Sequence, residues 1–175
     1  MRAIIIIFLS LTLASVNANA KPVKKSSAPA YSPTQASLVV DVKSGRILHA
    51  DKAKDKIYPA STVKMMTMYL AFDAINKGQL SLNTMIPASK NVLRTKPGKI
   101  WIQPGEKISV KDAIMACSVK SANDAALVLA EAIAGSEENF ARLMNKKARE
   151  LGLKNTNFTN SHGWHHPEQY STAID

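Results

Sequence analysis

Between Met65 and Phe72 the chain carries no charge, and Met65, Met66, Met68, Tyr69, Leu70 and Phe72 leave it little polar face. A helix apolar nearly all round is normally buried, so this stretch predicts a central helix around which the rest must pack. Immediately before it stands Pro59-Ala60-Ser61-Thr62-Val63-Lys64. Pro59 suits a helix start and Gly78 suits its end, so the helix is expected to run to about Lys77. Ser61 and Lys64, three residues apart, fall on one face in its first turn. A hydroxyl and an amine held together at the mouth of a buried helix have the parts of a nucleophile and its base. Taken alone, Ser-x-x-Lys is far more often a helix N-cap followed by a solvated lysine.

Upstream, Arg2, the apolar run from Ala3 to Val16 and the small-residue site Ala18-Asn19-Ala20 read as a secretory signal peptide over residues 1–20. The apolar run falls short of the roughly 20 residues that a membrane-spanning helix needs. Removing 20 of 175 residues leaves 155, enough for one domain with a substantial core. One arginine and no acid lie in that segment, so the net charge of +10 becomes +9. So basic a chain suits an anionic neighbourhood such as a wall polymer or membrane surface, and equally simple solubility. Residues 21–34, with Lys21, Lys24 and Lys25 among Ser and Pro, read as a basic disordered linker, and residues 35–175 as the domain. The single cysteine, Cys117, excludes an internal disulfide, and its apolar neighbours suit a small buried residue.

Within the domain, Ser37–Val42 and Arg46–Ala50 flank a Lys43-Ser44-Gly45 turn and predict a β-hairpin near the Ser61 helix. Residues 81–107, broken by Pro87, Pro97, Gly98, Pro104 and Gly105, predict loop with short extended pieces near Met85 and Ile100. Ser109 and Asp112 resemble a capping box that opens a short helix to about Ser118. A nearly pure apolar helix follows over residues 124–134, closed by Gly135. Ser136 caps another, in which Phe140, Leu143, Met144, Ala148 and Leu151 keep the 3.6-residue period before Gly152. Residues 155–170 predict polar loop, and residues 171–175 a helix start. The pattern is α+β and rich in helix.

A second polar cluster, Ser118-Val119-Lys120-Ser121-Ala122-Asn123-Asp124, is wedged between apolar helices. Such a cluster must be satisfied or functional. Ser121 or Asn123 capping the next helix would suffice to explain it alone. Together, Ser61-x-x-Lys64 and Ser121-x-Asn123 resemble the serine acyl-transferases of the β-lactamase and penicillin-binding group. Over about residues 35–175 the chain resembles its low-molecular-weight D-alanyl-D-alanine carboxypeptidases. The resemblance rests on YPASTVKMMT around Ser61, SVKSANDAALVLAE around Ser121, NKKARELGLKNTNFTNSHGW, and YSTAID.

The resemblance implies a transpeptidase-like fold, a five-stranded antiparallel sheet with helices on both faces. It implies Ser61 as acylated nucleophile, Lys64 as proton acceptor, Ser121 as relay to the leaving D-alanine and Asn123 as holder of the substrate amide. His162 and Gly163 match the loop beside the family's site, whereas His165 and His166 match nothing assigned. Three histidines without a carboxylate or cysteine pattern do not make a metal centre. No metal, cofactor or nucleic-acid partner is implied. The expected partners are peptidoglycan stem peptides ending in D-Ala-D-Ala, β-lactam antibiotics as covalent inhibitors, and a peripheral membrane or wall surface. The expected location is the periplasm or cell envelope. The family's third motif, Lys-Thr-Gly, does not occur in the sequence. The chain is therefore expected to hold the helical lobe and N-terminal hairpin without the last sheet strands, and to be an impaired enzyme. The other readings are a non-catalytic remnant or muropeptide-binding wall protein, a D,D-endopeptidase sharing the same motifs, and, more weakly, a β-lactamase. No Glu-x-x-Leu-Asn follows Asn123 to supply a class A β-lactamase's deacylating acid.

Overall fold

The computed structural model describes residues 36–175, so the expected signal peptide and the whole of the expected linker lie outside the described residues. Strands β1 (Ser37–Val40) and β2 (Ile47–Asp51) form the antiparallel hairpin. Its turn is closed by Asp41, whose carboxylate accepts from the Ser44 N–H and hydroxyl. A 3₁₀ turn, Ala60–Val63, leads into α1 (Lys64–Asn76). Strand β3 (Met85–Pro87) and a second 3₁₀ turn, Lys90–Arg94, precede β4 (Lys107–Ser109) and α2 (Val110–Lys120). Helices α3 (Asn123–Ala134) and α4 (Glu137–Glu150) complete the regular structure.

The helix boundaries follow local chemistry. Ser109 Oγ accepts the Asp112 N–H at 3.0 Å, the N-cap half of the expected capping box, and donates to the Asp112 carboxylate at 2.6 Å in place of the box's return bond to the Ser109 N–H. Ser136 caps α4 through the Asn139 N–H, and Gly135, at φ 77°, closes α3. Eight consecutive residues of α3, Asn123 to Ala130, are buried. One core packs α3 against α2 and the far end of α1. A second joins Val63, Met66 and Leu70 to Phe140, Met144 and Phe158. Truncating a fully buried aromatic such as Phe140 to Ala costs about 3–5 kcal/mol in comparable cores.

Four sequence expectations are corrected. Helix α1 is not buried all round: Met66, Leu70, Ala71 and Ala74 face the cores, but Met65, Tyr69 and Phe72 form an exposed stripe. Its buried face instead carries two polar side chains, Lys64 and Thr67. Residues 100–102 form no strand; β3 pairs with β4 across the intervening loop, giving a second two-stranded sheet. The hairpin, expected to pack near the Ser61 helix, leaves Val39, Val40, Ile47 and Leu48 exposed. Residues 171–175 make no helical turn, because Ser171 pairs with Ile57 through reciprocal backbone hydrogen bonds.

The polar loops are fastened by buried side chains. Asp124, fully buried at the start of α3, accepts from Ile100 N at 3.2 Å, Ile102 N at 3.1 Å and Ala125 N at 3.0 Å. Asp124→Ala would strand two loop N–H groups, at about 1–3 kcal/mol each. A fall in melting temperature well beyond that of an exposed-site control such as Asp55→Ala is the expected outcome.

Candidate active site

The sequence folds so that Ser61 and Lys64 meet. In a 3₁₀ turn, side chains at i and i+3 eclipse, and Ser61 sits in such a turn, not in an α-helical one as expected. Lys64 Nζ donates to Ser61 Oγ at 3.2 Å and to the His162 carbonyl at 2.7 Å. Only 2% of Lys64 is exposed. Burial holds its ammonium below the usual lysine pKa, against an opposing pull from Cys117. Its place at the first residue of α1 adds the positive end of the helix dipole, which also disfavours a cation. Burial thus favours the neutral amine of Lys64, and a hydroxyl lies within its reach.

A loop over residues 159–164 holds the lysine in place. Thr67, one turn along α1, donates to Ser161 O at 2.6 Å, so α1 grips two consecutive loop carbonyls. From the other side Glu137 Oε1 accepts from Ser161 N at 3.0 Å and Ser161 Oγ at 2.6 Å. Buried Gln169 accepts from Thr159 N and Asn160 N and donates to Trp164 O. Gly163, at φ 90°, lies against the Ala60–Ser61 peptide, where a side chain has no room. Ala60 itself takes φ 46°. A left-handed non-glycine residue next to a candidate nucleophile is the kind of stored strain that gathers at functional sites.

Ser121 ends α2 in the left-handed region at φ 54° and ψ 36°. That position usually belongs to glycine, and here Ala122 N reaches back to Ala116 O. The capping alternative for this cluster does not hold: the N-cap of α3 is Ala122, and no side chain caps it. Among the described residues, no protein group hydrogen-bonds the Ser121 hydroxyl. Cys117, one turn earlier, is buried, and its thiol is pushed up to about 12 by that burial, offset in part by the Lys64 charge. Cys117 on α2 therefore lies within electrostatic reach of Lys64. Asn123 holds the neighbouring loop. Its Nδ2 donates to Pro97 O at 2.7 Å and Lys96 O at 3.2 Å, and its backbone N donates to Gly98 O at 2.7 Å. The Asn123 amide oxygen is left as its remaining polar atom.

The three histidines have separate settings. His162 Nδ1 accepts from Trp164 N, and its Nε2 faces Glu137 at 3.5 Å. It also lines a cavity of about 200 Å³ with Asn91, Arg94, Thr95, Leu127 and Glu137. His165 packs edge-on against Tyr58, and His166 Nδ1 accepts from Glu168 N. Among the described residues no group of three potential ligands could hold a metal ion. Burial lowers the His162 pKa below its ordinary 6.5, against an upward pull from Glu137 and with a further downward push from Lys64. The unfolded chain then binds the extra proton first. Stability should fall as pH drops below the unfolded value near 6.5 and level off below the folded value. Denaturant midpoints between pH 8 and 5, flattened in His162→Gln, check this.

Thr67, Glu137 and Gln169 were not singled out from the sequence. Only Thr67, one turn after Lys64 inside an otherwise apolar run, carried a local signal.

Solved structures are similar to this fold over about four fifths of the chain. The D-alanyl-D-alanine carboxypeptidase DacD from Francisella tularensis aligns with a TM-score of 0.76 at 38% identity over 79% of this chain and 33% of that one. Penicillin binding protein 5 from Haemophilus influenzae gives 0.76 at 37% identity over 79% and 41%. The fold is therefore that of the penicillin-binding transpeptidase and β-lactamase class, in its N-terminal part. The sequence matches the family of peptidase S11, D-alanyl-D-alanine carboxypeptidase, over residues 23–175, and the chain belongs to that family. Among curated relatives, D-alanyl-D-alanine carboxypeptidase DacF of Bacillus subtilis is 36% identical over 81% of this chain. The alignment spans 36% of that relative's length, so this chain covers little more than a third of it.

Proposed function

We propose that this chain carries the acylation half-site of a serine-type D-Ala-D-Ala carboxypeptidase acting on peptidoglycan stem peptides. The observation that carries the reading is the 3.2 Å contact between Ser61 Oγ and a buried Lys64 Nζ that is itself anchored to His162 O. In its neutral form Lys64 accepts the Ser61 proton as Oγ attacks the carbonyl of the penultimate D-alanine. The C–N bond then breaks, and a proton reaches the departing amine of the terminal D-alanine from Lys64 by way of the Ser121 hydroxyl. An ester on Ser61 remains, and water hydrolyses it to restore the serine and release the shortened peptide. The Ser61 N–H is one donor for the developing oxyanion. Asn123, with both its donor contacts committed to residues 96 and 97, offers its amide oxygen to a substrate N–H. By the same chemistry β-lactams acylate Ser61. The protein acts outside the inner membrane, in the periplasm or envelope, and its basic charge favours peripheral contact with membrane or wall.

Release of D-alanine from diacetyl-Lys-D-Ala-D-Ala by the purified chain, compared with Ser61→Ala, tests the reading. Release lost in the variant supports it. Release unchanged in the variant assigns the activity elsewhere.

A further inference from the structure

Two tryptophans stand out of this fold on rigid mounts. Trp101 is 72% exposed, yet its backbone is held in the left-handed region at φ 66°. The mount is Asp124, whose two carboxylate oxygens take the N–H groups of Ile100 and Ile102 on either side of it. Gln103 Nε2 donates to the Trp101 carbonyl at 2.9 Å. Trp164 is 45% exposed, and its backbone is fixed by three hydrogen bonds. Its N–H goes to His162 Nδ1, and its carbonyl accepts from Asn160 and Gln169. Each indole has an ammonium beside it. Lys96 Nζ lies 5.8 Å from the Trp164 ring centroid, and Lys99 Nζ lies 5.7 Å from that of Trp101. Lys99 is also tied to Val92 O at 3.2 Å.

One loop joins the pair. Residues 96–101 run from the lysine over Trp164 to Trp101, and Asn123 and Asp124 clamp that loop from below. Trp164 follows Gly163, which abuts Ser61. A large apolar side chain left in water on a strained backbone gains nothing for folding. A rigid, wide indole loses little entropy on binding. Among the described residues no protein group hydrogen-bonds either indole Nε1, which leaves both donors free for a polar ligand.

We propose that Trp101, with Lys99 beside it, and Trp164, with Lys96 beside it, form a glycan-binding platform at the rim of the site. The indole faces take the apolar faces of N-acetylated amino-sugar rings, and the ammonium takes a carboxylate borne by the same polymer. The choice of peptidoglycan strands as occupant rests on the function proposed above. The charge supports it: a chain of net charge +10 complements a polymer bearing carboxylates. So does the pairing of each aromatic ring with a nearby ammonium, which suits a ligand that is part apolar ring and part anion.

The test uses the full chain and soluble glycan strands of alternating N-acetylglucosamine and N-acetylmuramic acid, freed of stem peptides. Quenching of tryptophan fluorescence and calorimetric titration give the affinity. Trp101→Ala and Trp164→Ala should each weaken binding about tenfold or more at unchanged melting temperature. Lys96→Ala should weaken it several-fold and reduce its salt dependence. Glycan binding that is absent, or equal in the variants, overturns the platform. Tryptophan-dependent binding to vesicles containing phosphatidylglycerol, without glycan binding, overturns it in favour of a lipid surface. Fluorescent penicillin labelling, run in parallel, separates the two proposals. Labelling without tryptophan-dependent glycan binding sinks the platform alone. Tryptophan-dependent glycan binding without labelling leaves the platform standing and removes the carboxypeptidase reading.

Discussion

Gly163→Ala should abolish acylation of Ser61 by a fluorescent penicillin and lower the melting temperature. The added Cβ would overlap the Ala60 carbonyl and sit 3.0 Å from Ser61 N. Its neighbours are main-chain atoms, so no flexible side chain can yield. The loop cannot retreat freely either, because Gly163 N donates to Asn160 Oδ1 at 2.7 Å and Glu137 holds Ser161. One of two shifts must follow. Either the 3₁₀ turn moves and carries Ser61 away, or the loop moves and withdraws the His162 carbonyl from Lys64. Overpacking costs about 1–3 kcal/mol, and φ 90° adds strain of about 1–3 kcal/mol for any residue with a Cβ. A displacement of about 1 Å at a reacting group costs on the order of 10²-fold in rate. Labelling and thermal melting, read together, check the outcome. A normal labelling rate would show that Gly163 does not set the Ser61 geometry.

Lys64→Arg should cost about 10²–10⁴-fold in acylation rate, the usual contribution of a general base. Arginine keeps the positive charge but stays protonated at any pH the protein tolerates, so the variant separates the base from the charge. The native rate should also climb with pH. Burial lowers the Lys64 pKa, the reactive form is the neutral amine, and the midpoint of the rise should lie below the ordinary lysine value near 10.4. A pH profile of penicillin acylation gives that midpoint directly. A profile flat from pH 6 to 10, or Lys64→Arg with near-native rates, would remove Lys64 as the base.

What could be read in advance was what local chemistry decides. Ser109, Gly135, Ser136 and Gly152 mark helix ends because a cap needs only a few neighbouring residues, and each lies at a helix boundary. The hairpin was legible from its alternation and its turn. The β3–β4 pairing was not, since three-residue strands with Pro87 and Lys107 carry almost no period. The stripe of Met65, Tyr69 and Phe72 misled because apolarity reports what could be covered, not what these 140 described residues cover. At the site, the Ser61–Lys64 and Ser121–Asn123 spacings were visible. The supports were not, because they join side chains to distant main chain. Asp124 reads as a helix-start acid until its carboxylate is seen on Ile100 N and Ile102 N, and Glu137 reads as a first-turn acid until it is seen on Ser161.

The exposed apolar surface and the prepared site are compatible. The Ser61–Lys64 contact can be held while part of the apolar surface stays exposed, because Lys64 and Thr67 are fastened to residues 161 and 162 within the described chain. On the proposed function, Ser61 should therefore be reactive in this chain.

The central claim is that Ser61 is an activated nucleophile. Its most direct measurement is mass spectrometry of the purified chain after incubation with benzylpenicillin, with the adduct mapped by digestion. The account predicts one added penicilloyl group on the peptide containing Ser61, formed faster as pH rises and absent in Ser61→Ala. No adduct at saturating antibiotic, or an adduct that persists in Ser61→Ala, would contradict it.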